Sequence, residues 1–202
     1  NQTLLTGETG SLTVTLPAAA GAGGQLVELS SNDAAVASVP ASVTVAEGAT
    51  SAPVTVTAGT TPGTAQITAT AAGFAAATAN VTVNARGMTI ALGSPLVGVG
   101  RSVTVTATLA QPAPAGGVTV TFASNATGIA TVAPATVNIP AGSTQAGATV
   151  SGVALGNALI SASAPGYATA SAGLTVTNSL ISFGAIPPVS PDQTLQFPVS
   201  LS

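Results

Sequence analysis

Valine and threonine alternate along much of this chain, and this alternation limits the folds that the chain can adopt. In residues 103–122 the tetrapeptide VTVT stands on both sides of a loop rich in Pro, Ala and Gly. Leu12, Val14 and Leu16 alternate with threonine in the same way. Because successive side chains of a β-strand point to opposite faces, this pattern predicts strands with one apolar face and one hydroxyl face. No segment shows a sustained helical period, so we expect an all-β fold.

Composition predicts an unusual core and an unusual surface for these strands. Apolar residues make up 46% of the 202 residues and aromatic residues only 2%, so the core must be built mainly from Ala and Val. Charged residues make up 3%, against about 25% in typical proteins. Such a surface has little electrostatic protection against self-association. We expect it either to pack against neighbouring copies or to be kept dispersed by Thr and Ser hydroxyls.

Two dipeptides recur at one spacing and reveal an internal repeat. Ser31-Asn32 returns as Ser124-Asn125, which is 93 residues later (124 − 31). Gly73-Phe74 returns as Gly166-Tyr167 at the same distance (167 − 74). A unit of this length with about seven predicted strands has the size of an immunoglobulin-like domain. The repeat therefore predicts tandem β-sandwiches.

The spacing also predicts where each repeat begins and ends. We place the first repeat at 1–85, the second at 86–178 and the first strands of a third at 179–202, where TLQFPVSLS (194–202) resembles SVTVTATLA (102–110). Between the two markers the spacing of equivalent residues increases by one, because Gly48 and Gly142 are 94 residues apart (142 − 48). One residue has therefore been inserted in the second repeat, and a compensating deletion must follow.

The central part of each repeat resembles a known family. Residues 30–74, SSNDAAVASVPASVTVAEGATSAPVTVTAGTTPGTAQITATAAGF, and their counterpart 123–167 resemble the bacterial immunoglobulin-like (Big-type) repeats found in tandem on adhesins and other cell-surface proteins. The resemblance implies tandem Greek-key sandwiches, display outside the cell and a stacked array. The cysteine and tryptophan of antibody domains are absent, so the core depends on packing alone.

The residue inventory excludes most chemistry. With no His, Cys or Lys, the chain lacks the bases and nucleophiles of the common catalytic triads and dyads, and it lacks zinc ligands other than isolated carboxylates. The five acids are scattered singly, which argues against a glycosidase pair. Two isolated arginines do not form a nucleic-acid site, and no apolar run is long enough to cross a membrane. We predict no enzyme activity, no cofactor and no metal.

Several residues are nevertheless candidates for contacts. Phe74 and Tyr167 follow the repeated glycine, and serve either as exposed binding aromatics or as plugs at one end of each core. Arg86 and Arg101 flank the first strand of the second repeat, where they either pair with Glu8 or Glu47 to set the angle between repeats or remain solvated. Four apolar residues of the tail are candidates for strand addition by a neighbouring molecule, because two strands alone cannot bury them: Leu195, Phe197, Val199 and Leu201.

These features together predict a non-catalytic, extracellular structural protein of a bacterial cell surface. Its repeats form a stalk or fibre, and the low charge suggests that copies assemble laterally or end to end into a filament or sheath. The chain is read as a window cut from a longer array. Two alternatives stay open: an adhesive or carbohydrate-binding module that touches surface glycans, and a spacer in a secreted enzyme or phage tail.

Overall fold

The computed structural model describes residues 1–178, 181–183 and 199–201. Within these ranges every regular element is a β-strand, so the predicted all-β class is confirmed. The described part of the chain contains no helix that is long and apolar enough to cross a membrane. The chain divides into two compact units: unit 1 is Asn1–Gly87 with Pro165–Ala168, and unit 2 is Met88–Ala164 with the chain from Thr169 on. Our division into repeats at 85 and 178 remains a prediction.

Unit 1 is a sandwich of two sheets. Its strands are β1 (Gln2–Leu5), β2 (Thr9–Thr15), β3 (Gln25–Ser31), β4 (Ala37–Ser38), β5 (Ser42–Val45), β6 (Ser51–Ala58), β7 (Gly63–Thr70) and β8 (Ala77–Asn84). The larger sheet has the order β1-β8-β7-β3-β5 and the smaller has the order β2-β6-β4. β1 lies parallel to β8, whereas the other pairs are antiparallel. The chain changes sheet at every connection from β1 to β7 and stays in the larger sheet from β7 to β8.

Unit 2 repeats this topology and adds one strand. Its strands are β9 (Met88–Leu92), β10 (Leu96–Gly98), β11 (Ser102–Leu109), β12 (Val118–Ser124), β13 (Ala130–Ala133), β14 (Thr136–Ile139), β15 (Gln145–Gly152), β16 (Gly156–Ser163) and β17 (Ala170–Thr177). The sheet β10-β17-β16-β12-β14 matches the larger sheet of unit 1. The other sheet, β13-β15-β11-β9, matches the smaller one except for β9. The added strand pairs antiparallel with β11, with Met88 opposite Leu109.

The tail begins a similar arrangement. β18 (Ile181–Phe183) and β19 (Val199–Leu201) pair antiparallel, with Ile181 opposite Leu201. β9 starts four residues after β8 ends, and β18 likewise starts four residues after β17 ends. The third repeat at 179–202 remains a prediction.

The predicted insertion and deletion both lie at the ends of strands. Ala37 and Ala130 are 93 residues apart (130 − 37), whereas the first residues of the next strands, Ser42 and Thr136, are 94 apart (136 − 42). In this segment β13 extends to Ala133, whereas β4 ends at Ser38. The turn between β6 and β7 contains residues 59–62, and its counterpart between β15 and β16 contains only 153–155. The extra residue is removed there, and the order of the strands in the sheets is unchanged by either event.

The core consists of small and β-branched side chains, as the composition predicts. Val105, Val120 and Ile160 have no exposed surface. The threonines that alternate with valine on β11 and β12 are exposed or half-buried. The largest completely buried side chains are aliphatic: Ile139, Ile160, Leu174, Val45, Val56, Val81, Val83, Val105, Val120 and Val150. Dense packing of many small groups therefore stabilises each sandwich.

Candidate functional site

An apolar groove lies open beside β2 in unit 1. It encloses a cavity of ≈ 270 Å³ between β2 on one sheet and β7 and β8 on the other. Leu12 and Val14, which point from β2 into the sandwich, are only half-buried. Six further apolar residues and four polar residues complete the lining: Leu29, Val54, Ile67, Ala69, Ala77 and Ala79, with Asn1, Thr13, Thr15 and Thr78.

The same position in unit 2 is filled by β9. There Ile90 lies opposite Ala107 and Leu92 lies opposite Val105. Val105 and Ala107 correspond to Leu12 and Val14 of unit 1, and both are completely buried. The difference in burial therefore follows from the presence of one strand in unit 2 that unit 1 lacks within the described residues.

Strand β2 has a free edge along this groove. In the described residues β2 pairs only with β6, whereas its counterpart β11 pairs with both β15 and β9. An unpaired edge presents backbone N–H and C=O groups that another strand can bond. Leu12 and Val14 were not among the site residues predicted from the sequence, because alternation along one strand does not show whether another strand pairs with its edge.

The turn between β7 and β8 places an aromatic ring at one end of the groove. Gly73 adopts φ 83°, and the Phe74 amide donates to Ala71 O at 3.1 Å, so the turn is tight. The Phe74 side chain is 40% exposed and borders a second cavity of ≈ 240 Å³ that also contacts Val14 and Leu16. Phe74 therefore combines an apolar contact with a partly exposed side chain.

Tyr167, the counterpart of Phe74, is half-buried and its segment belongs to unit 1. Its backbone forms a parallel bridge with Arg86, whose amide donates to Gly166 O at 2.9 Å. The Arg86 side chain donates from Nε to Thr6 O at 2.7 Å. Thr6 is buried, and its Oγ1 donates to Gly166 O at 2.6 Å. These bonds hold Pro165–Ala168 in place in unit 1.

Arg101 and the two acids proposed as arginine partners make backbone contacts. Arg101 is exposed; its amide donates to Gly98 O at 3.0 Å and its carbonyl accepts from the Gly152 amide at 2.9 Å. Glu8 Oε2 accepts from the Leu5 amide at 2.8 Å, and Glu47 Oε2 accepts from the Gly23 amide at 3.2 Å. The roles of Arg86 and Arg101 in setting the angle between repeats remain predictions.

The tail residues proposed for strand addition are described only in part. Leu195 and Phe197 lie outside the described residues. Val199 and Leu201 lie on β19, where their backbones pair with Phe183 and Ile181. Their role in strand addition therefore remains a prediction.

Three acidic residues of the described ranges, Glu8, Asp33 and Glu47, accept hydrogen bonds from backbone amides, and Glu28 lies exposed on β3. Asp33 Oδ1 accepts from the Ala35 and Val36 amides at 3.0 and 3.3 Å, which closes the turn after β3. Among residues 1–178 and the two short tail strands, no group of three His, Cys, Asp or Glu side chains is placed to hold a metal ion. The described site can therefore form backbone hydrogen bonds with a further strand and make apolar contacts.

Comparison with known proteins gives similarity to solved structures, including three of low identity. The structure of the Yersinia pseudotuberculosis adhesin InvE is 21% identical, with 87% of this chain and 56% of that chain covered and a TM-score of 0.44. The D0-D1 domain of intimin is 18% identical, with 86% and 94% covered and a TM-score of 0.35. The S-layer protein rSbsC(31-844) is 23% identical, with 78% and 21% covered and a TM-score of 0.35.

The matched region is part of a longer molecule in the first of these structures, since the chain spans little more than half of the InvE structure. No protein-family model matches the sequence, and no curated protein sequence matches it. The assignment of the sandwich fold therefore rests on the strand order and pairing described above.

Proposed function

We propose that this chain is a non-catalytic structural segment of an extracellular bacterial protein, and that its repeats form a stalk or fibre whose copies associate with one another. The observation that carries the proposal is that the eight strands of unit 1 all recur in unit 2 in the same sheet order, with markers 93 residues apart (124 − 31). A repeated domain with its own core extends a molecule without adding chemistry. The Big-type resemblance of residues 30–74 supports the same function.

The outer face of the smaller sheet supports association between copies. On β2 and β6 most of the exposed side chains carry hydroxyl groups, and three pairs of them lie opposite one another: Thr9 and Thr57, Ser11 and Thr55, and Thr15 and Ser51; the remaining exposed pair is Thr13 opposite Pro53. Unit 2 has the same arrangement on β11 and β15, where Ser102 lies opposite Ser151 and Thr104 opposite Thr149. This hydroxyl face carries no charge, so two copies can approach without electrostatic repulsion.

Sedimentation velocity over a wide concentration range tests the proposal. We expect the full chain to form oligomers that grow with concentration. Adding two positive charges to the hydroxyl face, by Ser11→Lys with Thr55→Lys, should weaken this growth through like-charge repulsion. The matched control is Ser42→Lys with Thr44→Lys on β5, which is exposed on the other sheet. A chain that stays monomeric at the highest concentration, with no ordered contacts in native material, would contradict the proposal.

A carbohydrate-binding function is the second candidate, and the exposure of Phe74 favours it. An aromatic ring that is 40% exposed beside an apolar cavity suits the apolar face of a sugar ring. A glycan array probed with the full chain should then show binding that Phe74→Ala abolishes and Leu159→Ala retains, because Leu159 is an equally exposed apolar residue (44%) on β16. Absence of glycan binding by the unsubstituted chain removes this candidate.

A further inference from the structure

One turn of unit 2 carries a modification motif that the structural function does not use. The tripeptide Asn125-Ala126-Thr127 fits the Asn-X-Ser/Thr pattern of asparagine-linked glycosylation. It lies between β12 and β13, and both Asn125 and Thr127 are exposed. We propose that Asn125 is a glycosylation site that carries a sugar on its side-chain nitrogen, Nδ2. The inference rests on the proposed function only for its extracellular setting.

The Asn125 side chain is held in one orientation. Its Oδ1 accepts a hydrogen bond from the backbone amide of Leu159 at 2.8 Å. Because a backbone amide N–H can only donate, the atom that meets it must be the oxygen of the carboxamide, which settles which way the group is turned. Nδ2 is therefore the side-chain atom that an enzyme can reach from solvent.

The reaction needs a transferase and a sugar that is linked through its anomeric carbon to a diphosphate. Asn125 Nδ2 attacks the anomeric carbon, so that a bond forms between these two atoms and the bond from that carbon to the phosphate oxygen breaks. The diphosphate leaves with the electron pair, and the proton lost from Nδ2 passes to a base of the transferase. The carboxamide oxygen is unchanged, so the bond to the Leu159 amide survives the modification.

Two other tripeptides fit the same pattern but involve paired strands. The tripeptide NVT at 80–82 lies inside β8, which pairs with β7 on one side and with β1 on the other. The threonine of the tripeptide NQT at 1–3 lies on β1, which pairs with β8. A strand within a sheet presents one side-chain face, whereas a surface turn also presents its backbone to an enzyme. We therefore expect Asn80 to remain unmodified.

Unit 1 contains a matched asparagine that lacks the motif. Asn32 stands 93 residues before Asn125 (125 − 32) and is also exposed, and its Oδ1 accepts from the Gln66 amide at 2.8 Å. Ala34 takes the place of Thr127 (127 − 34 = 93). The two sites share the position after a strand and the hydrogen bond, and differ in the hydroxyl group that the pattern requires. Asn32 should therefore carry no sugar.

Mass spectrometry of the native protein tests the inference. Peptides are fragmented by electron transfer, which keeps sugars on their side chains and so locates each modified asparagine. We expect hexose or N-acetylhexosamine on Asn125, and on neither Asn32 nor Asn80. An unmodified Asn125, or a sugar on Asn32 or Asn80, would overturn the inference.

Variants of the full chain, produced in the bacterium of origin, test whether the motif is read. Thr127→Ala should remove the sugar from Asn125, although the bond between Asn125 and Leu159 stays in place. Thr127→Ser keeps a hydroxyl group and should keep the sugar. The matched control is Thr121→Ala, at an exposed position on β12, which should also keep it. A sugar that persists in Thr127→Ala would contradict the assignment.

Failure of this inference is distinguishable from failure of the proposed function. Sedimentation velocity of the chain made in a host without such a transferase measures the association of unmodified copies. Oligomers that grow with concentration, together with a native protein that has no sugar on Asn125, would overturn the glycosylation site and support the structural function. A glycosylated native protein whose unmodified copies stay monomeric would support the site and contradict association between copies.

Discussion

Asn32 Oδ1 accepts a hydrogen bond from the backbone amide of Gln66 at 2.8 Å, and Gln66 O accepts one from the Asn32 amide at 3.1 Å. Asn125 and Leu159 make the same two bonds at the same lengths, 93 residues later (125 − 32). The asparagine thereby extends the pairing of the strand that precedes it, at the point where the chain leaves the sheet. The repeated Ser-Asn dipeptide is therefore a structural signature of this sandwich.

Asn32→Ala is expected to lower the free energy of unfolding of unit 1 by about 1 kcal/mol, because it removes the side-chain acceptor of the Gln66 amide. Urea unfolding followed by circular dichroism measures the change. Asn80→Ala is the matched control: Asn80 is exposed on β8, and its bond to Asn1 uses the backbone amide, which alanine keeps. Equal losses of unfolding free energy in the two variants would contradict a stabilising role for the Asn32 side chain.

Ile160→Ala should destabilise unit 2 by about 2–5 kcal/mol, because Ile160 is completely buried in a core that has few large side chains to fill a cavity. Its neighbour Leu159 points out of the same strand and is 44% exposed. Leu159→Ala should change stability by no more than about 0.5 kcal/mol. Thermal unfolding of the two variants gives the comparison. Similar midpoints would mean that β16 does not face the core as described.

Gly24→Ala should cost about 2 kcal/mol. Gly24 has φ +77°, and a Cβ there would lie 2.7 Å from Val45 O, so an alanine is both strained and crowded. Gly21, in the same turn, has open space where a Cβ would lie and should tolerate alanine with a change near zero. Chemical denaturation of both variants checks the difference. A tolerated Gly24→Ala would show that this turn has another conformation in solution.

Association of the chain should depend little on sodium chloride between about 0.05 and 0.5 M, a range over which exposed ion pairs are strongly screened. The reason is the small number of charges, 2 basic and 5 acidic in 202 residues. Sulfate, in contrast, should promote association, since it strengthens burial of apolar surface. Light scattering in the two salts makes the measurement. Dissociation at high sodium chloride would indicate that ion pairs hold the copies together.

Much of the fold was predictable because its signals are local. The alternation of Val103 and Val105 with threonine places them on the inner face of β11, and the structure confirms this for Val105, which is fully buried. The two markers at a spacing of 93 residues predicted repetition of the sandwich, and the mismatch at Gly48 and Gly142 predicted an insertion and a deletion. Alternation and spacing are properties that a sequence displays directly.

The open groove was not predictable from those signals. Leu12 and Val105 carry the same pattern, yet one is half-buried and the other fully buried, because burial depends on whether a separate strand pairs with that edge. Pairing between β9 and β11 joins segments across an intervening strand, β10, and single-strand periodicity carries no information about it. Likewise, the hydrogen-bonding role of Asn32 depends on its distance from Gln66, which the fold sets.

Electron microscopy of the native protein, at a resolution that separates single sandwiches, tests the central claim that these repeats form a structural fibre through contacts between copies. The account predicts ordered copies that lie side by side or are joined end to end. Isolated rods without ordered contacts, each carrying a different domain at its tip, would contradict it and would make these repeats a stalk for that domain.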